Sequence, residues 1–132
     1  MTTATTLTLH LAVLIGLYEL SAGVAGLTGR INWAAMLDEF DRSPALMFVT
    51  GFLAFAIGGT VILVHCLWTD VLAVIVSLVG WIALAEGLLL MILPGPLLAF
   101  SRRLVGNQKL ISLLAAAFGL ILIALGLTGR VA

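Results

Sequence analysis

Glu19 and Glu86 each stand deep in an apolar stretch, and of all the side chains they have the most chemistry to offer. A carboxylate in the hydrocarbon of a bilayer costs at least ~2.5 kcal/mol even on lenient insertion scales, so such a residue faces a bundle interior or water. No lysine or arginine lies within these stretches. A proton is then the partner that most readily neutralises each carboxylate. Two readings follow. In one, Glu19 and Glu86 form a proton- or cation-binding pair, with Tyr18 beside them as a further ligand candidate. In the other, both are neutral acids bonded to backbone, Tyr18 or Ser77. On a helical wheel Glu19 falls within about 60° of Gly16 and Gly23, which aims it at a packing seam.

The nitrogen and sulfur ligands are fewer. His10, His65 and Cys66 would be the start of a metal site, but His65 and Cys66 are adjacent and no paired ligand spacing occurs. Adjacent side chains on a helix diverge by about 100°, so no metal is expected. His65 continues the row of Gly51 and Gly58. It is expected to face protein and to bond across to the first or third span, closing one end of a hairpin with Trp68. No phosphate-binding glycine loop, His-Glu-x-x-His or Gly-x-Ser-x-Gly occurs, so neither a cofactor nor an enzymatic activity is expected.

What must position these residues is a set of membrane helices. The chain of 132 residues is 63% hydrophobic and 9% charged, too little polar material to cover a water-facing surface. A span needs ~20 apolar residues, and four runs qualify, at about 7–28, 45–68, 71–93 and 110–128. The expectation is one all-α membrane domain over 1–132, a four-helix bundle. Ser43-Pro44 reads as a helix cap followed by proline at the first position. Pro94-Gly95-Pro96 ends the third span. Only Thr69 and Asp70 separate the second span from the third, which predicts a tight turn with Asp70 capping the helix that follows.

Zero net charge removes any electrostatic case for nucleic acid. The basic residues are lopsided: Arg30, Arg42, Arg102, Arg103 and Lys109 fall in the two longer connections, against Arg130 alone on the other side. The positive-inside rule then places both termini outside, in the periplasm of a bacterial inner membrane. Residues 31–42 carry Trp33, Met36, Leu37 and Phe40 on one helical face, and 97–105 carry a sparser stripe beside Arg102 and Arg103. Both are expected to lie flat on the membrane. Trp33, Trp68, Arg102 and Arg103 are the expected interfacial anchors.

Fourteen glycines in a helical chain imply close backbone approach between helices. Every span has such a seam: Gly16 and Gly23, Gly51 and Gly58, Gly80 and Gly87, Gly119 and Gly126. Gly16 and Gly23 align with Gly80 and Gly87, and residues 52–58 align with 113–119. That echo points to a parallel 2+2 internal repeat, with a pseudo-two-fold axis along the membrane normal.

From Glu39 to Pro94 the chain resembles a group of small, uncharacterised bacterial inner-membrane proteins. The matching residues are Glu39-Phe40, Ser43-Pro44-Ala45-Leu46, Gly51, Gly58, Val64-His65 with Trp68, Gly80-Trp81, Gly87 and Pro94. In that group an asparagine is expected after the histidine, where this chain has Cys66. The resemblance implies a four-helix inner-membrane protein and no particular activity. Two functions are therefore expected in competition. One is a homo-oligomer or an accessory subunit of a larger membrane complex, with the lipid bilayer and other subunits as partners. The other is a small proton-coupled transporter or channel working through Glu19 and Glu86, with His65 lining one mouth.

Overall fold

The computed structural model describes residues 3–129, which leaves Arg130 outside the described residues. Six α-helices follow in order: α1 (Thr3–Leu27), α2 (Trp33–Arg42), α3 (Pro44–Val64), α4 (Val71–Ile92), α5 (Pro94–Leu104) and α6 (Gln108–Thr128), with a 3-10 turn at Val105–Asn107 before the last. Four of them, α1, α3, α4 and α6, are long and apolar enough to cross a membrane. The protein is an all-α membrane bundle. Side-chain oxygens cap α2, α3, α4 and α6: Asn32 accepts from the Ala35 amide, Ser43 from Leu46, Asp70 from Ala73 and Asn107 from Leu110. Each satisfies an amide that the helix itself cannot.

One boundary corrects the sequence reading. The second span does not run to Trp68; it ends at Val64, and the connection to α4 covers residues 65–70 rather than Thr69 and Asp70 alone. His65 leaves the helical region, with φ −148° and ψ 83°. Its ring is buried. The Ser77 hydroxyl then takes over for the missing helical ladder, accepting the Leu67 amide at 3.1 Å and donating to the Leu67 carbonyl at 2.8 Å. Backbone that departs from a helix in lipid must find such partners.

The four spans pair as two antiparallel hairpins, α1 with α6 and α3 with α4. Glycine allows both. A Cβ on Gly23 would stand 2.5 Å from the Ala116 nitrogen and the Ser112 carbonyl oxygen, and one on Gly87 would run into the Phe55 nitrogen and the Gly51 oxygen. A Cβ on Gly119 would stand 2.5 Å from the Gly16 oxygen and the Leu20 nitrogen, as one on Gly58 would meet the Gly80 oxygen and the Leu84 nitrogen. These contacts exchange under the repeat: Gly16 and Gly23 stand to α6 as Gly80 and Gly87 stand to α3. The pairing of helices exchanges in the same way, and the contact between α1 and α4 lies on the axis.

The hairpins meet each other at two levels. At the end that holds the start of α1, the end of α6 and residues 65–70 (the terminal face), Leu9, Ala12, Leu72, Val76 and Leu122 form one buried cluster. At the opposite end (the strap face), Leu37 and Phe40 of α2 pack with Leu90 of α4 and Leu98 of α5.

Candidate functional site

The polar groups that the helices bring together fall into three places. The first is the terminal face, where Thr8, His65 and Ser77 are almost completely buried. Thr8 Oγ1 lies 2.6 Å from His65 Nε2, and Ser77 Oγ lies 3.2 Å from His65 Nδ1. Ser77 Oγ also lies 3.4 Å from the His65 carbonyl, so one hydroxyl gathers the whole corner at residues 65–67. Both imidazole nitrogens thus have a hydroxyl partner. His10 is exposed on α1 and borders a shallow groove beside Gly126, and Cys66 is exposed, so neither joins His65. Among the described residues no group of three or more histidine, cysteine or acidic side chains is arranged to hold a metal.

The second place lies between the two buried levels. On α1, beyond Ala12, the buried positions are Gly16, Gly23 and Gly26, which face α6 or Trp33. On α4, between Ser77 and Leu90, they are Gly80 and Gly87, which face α3. Apart from these glycines, no residue of either helix is fully buried over this length. Here lie Glu19, half-buried, and Glu86, exposed, each on the flank of its own seam rather than inside it. No hydrogen bond or ion pair reaches either carboxyl from a described residue. The sequence reading offered Tyr18 and Ser77 as donors. Tyr18 is 71% exposed, and Ser77 is committed to His65 and Leu67. Trp81, at this depth on α4, is also exposed.

The third place is the strap face. Gln108 holds the turn after α1: its amide donates to the Gly26 and Ile31 carbonyls at 3.1 and 2.8 Å, and its oxygen accepts the Trp33 amide at 3.0 Å. The Trp33 indole donates to Ser112 at 3.2 Å. Trp33, half-buried, is thus tied to the start of α6. Arg102 spans from α5 to α2, donating to Asp38 at 2.7 Å and also to Asp41. Its hydrogen bond to Asp38, then that to Asp41, hold the guanidinium above its ordinary value. Arg103 and Trp68 remain exposed, where an interfacial anchor must be.

Thr8, Gln108 and Ser112 were not singled out from the sequence. Thr8 is one of five threonines among the first eight residues, so nothing marks it. Gln108 had a signal, a polar residue in the first turn of a span beside a capping asparagine. No family model matches this chain, and no curated protein or solved structure matches it either.

Proposed function

We propose that this is a small integral protein of the bacterial inner membrane, with both termini periplasmic, that works as a homo-oligomer or as an accessory subunit of a larger membrane complex. One observation carries the reading. Among the described residues, Glu19 and Glu86 receive no donor and no cation, although each unsatisfied polar group in hydrocarbon costs several kcal/mol. Intramembrane acids of this kind pair with something. A second copy supplies a carboxyl that shares a proton, and a different subunit supplies a donor. The resemblance of residues 39–94 to small inner-membrane proteins supports the location, and the basic residues of the strap face support the orientation.

The experiment is site-specific crosslinking in native membranes. Single cysteines replace Tyr18 or Ile82, both exposed on the flanks that carry the acids, in a Cys66→Ser background. A discrete adduct is expected, and native mass spectrometry gives its composition. A strictly monomeric particle without adduct or co-purifying subunit removes the proposal.

A second reading is a small proton-coupled transporter or channel. What favours it is that Glu19 and Glu86 stand on the two helices that meet across the hairpins, between the two buried levels and with no donor among the described residues. Proton flux into proteoliposomes should then vanish in Glu19→Gln and Glu86→Gln, which keep the shape but cannot release a proton. Wild-type flux no greater than that of empty liposomes rejects it.

A further inference from the structure

Within each hairpin the helices approach backbone to backbone at glycine, at Gly16, Gly23 and Gly119 in one and at Gly58 and Gly87 in the other, while the Val61 and Met91 side chains fill the space over Gly80 and Gly51. Each hairpin is therefore stiff. Between hairpins the connections are unequal. Both covalent links run through the strap face: α1 reaches α3 through α2, and α4 reaches α6 through α5. Among the described residues, the connection at the terminal face is 65–70, which joins α3 to α4 inside one hairpin. There the hairpins are held by the Leu9–Leu122 cluster and by the bond from Thr8 of α1 to His65. In a bilayer an apolar contact between helices competes with equally apolar lipid tails. Lipid cannot replace a hydrogen bond.

From this asymmetry we propose that α1/α6 and α3/α4 are two rigid bodies that part at the terminal face, with the Thr8–His65 bond as the latch and the α2/α5 layer as the hinge. Ser77 presets the latch. Bonded to Nδ1 and to the Leu67 backbone, it fixes the position of the imidazole that Thr8 must meet. Parting opens the cluster above Glu19 and Glu86 and admits water to them from the terminal face. The device does not depend on whether those carboxyls bind a subunit or a proton.

The test measures two distances by paired nitroxide labels in Cys66→Ser protein reconstituted in lipid. One pair is at Leu63 and Leu127, exposed ends of α3 and α6 on the terminal face; the other is at Phe48 and Leu113, exposed near the strap face. Thr8→Val keeps the shape and removes the donor. It is expected to shift the Leu63–Leu127 distribution to longer, broader distances and to leave Phe48–Leu113 unchanged, while Thr8→Ser keeps the wild-type distribution. If Thr8→Val does not fold, Ser77→Ala loosens the imidazole from its other side and should give the same shift. An unchanged terminal-face distance in the folded variant, or widening at the strap face instead, overturns the proposal.

Discussion

Among the described residues two polar links tie the halves of the molecule, Thr8 to His65 between the hairpins and Arg102 to Asp38 and Asp41 between the helices α5 and α2 that connect them, and they are built in opposite ways. At the terminal face the link is sealed: His65 and its hydroxyl partners are 0–1% exposed. At the strap face it is charged and open: the Arg102 side chain is 39% exposed, and those of Asp38 and Asp41 are 57% and 56% exposed. An exposed ion pair is screened by salt and solvated well when broken. A buried hydrogen bond has no such substitute, because its loss leaves a polar group stranded. The sealed link thus stands where no covalent connection joins the hairpins, and the open one stands where two already do. Strength is placed where the chain itself supplies none.

The largest expected effect tests what both links presuppose, the stiffness of the hairpins. Gly87→Leu drives a side chain into the Phe55 backbone, an overpacking that costs about 3 kcal/mol or more in so close a contact. Little folded protein should be recovered after detergent extraction, as judged by size-exclusion chromatography. Normal recovery would mean that the hairpins are loose, and the comparison of links would lose its premise.

His65→Ala comes next. It removes the imidazole that both the Thr8 and Ser77 hydroxyls bond and leaves a cavity at a fully buried site, and it is expected to lower stability by ~1–3 kcal/mol, read as a lower melting temperature in detergent. His65→Gln should recover part of the loss, since its amide can both donate and accept. Thr8→Val removes one donor while the imidazole keeps its bond to Ser77, and a net cost of ~0.5–1.5 kcal/mol is expected. If Thr8→Val costs as much as His65→Ala, the node is a single bond and not a network.

Arg102→Ala should change the melting temperature least, by less than a thermal melt resolves. Raising the salt concentration should likewise leave wild-type stability where it is. A clear loss in either experiment would show that the strap-face link is stronger than its exposure allows, and would reverse the order of the two ends.

The repeat explains why the ends differ. His65 occupies the place on its hairpin that Gly126 occupies on the other, and Ser77 the place of Val13. At Gly126 the α6 helix simply continues, pressed against Val13 and the Leu9 carbonyl. One glycine frame thus accommodates either a continuous helix or a broken one with a polar node. The sequence reading saw the frame, because small residues recur at helical spacing in all four spans. It also saw that His65 follows the Gly51–Gly58 row and therefore faces protein. It missed the break at Val64, since residues 61–68 contain neither glycine nor proline and read as uninterrupted helix. The break comes from Ser77, ten residues beyond Leu67, whose hydroxyl outcompetes the local ladder for Leu67. Propensity is a local property, and this competition is not.

The sequence by itself determined the class of protein, the four spans, the caps at Ser43 and Asp70, and the glycine seams. All of these rest on composition, periodicity or a neighbour within one helical turn. Only the tertiary structure decided which seam meets which, that α1 pairs with α6 rather than with its neighbour α3, and that Glu19 and Glu86 lie on open flanks instead of inside a seam. It likewise decided that Thr8 is the partner of His65 and that Gln108 and Ser112 secure Trp33. In lipid every span is equally apolar outside, so hydrophobicity cannot choose among pairings. The choice falls to backbone fit at glycine and to a few hydrogen bonds, and those exist only once distant segments have come together.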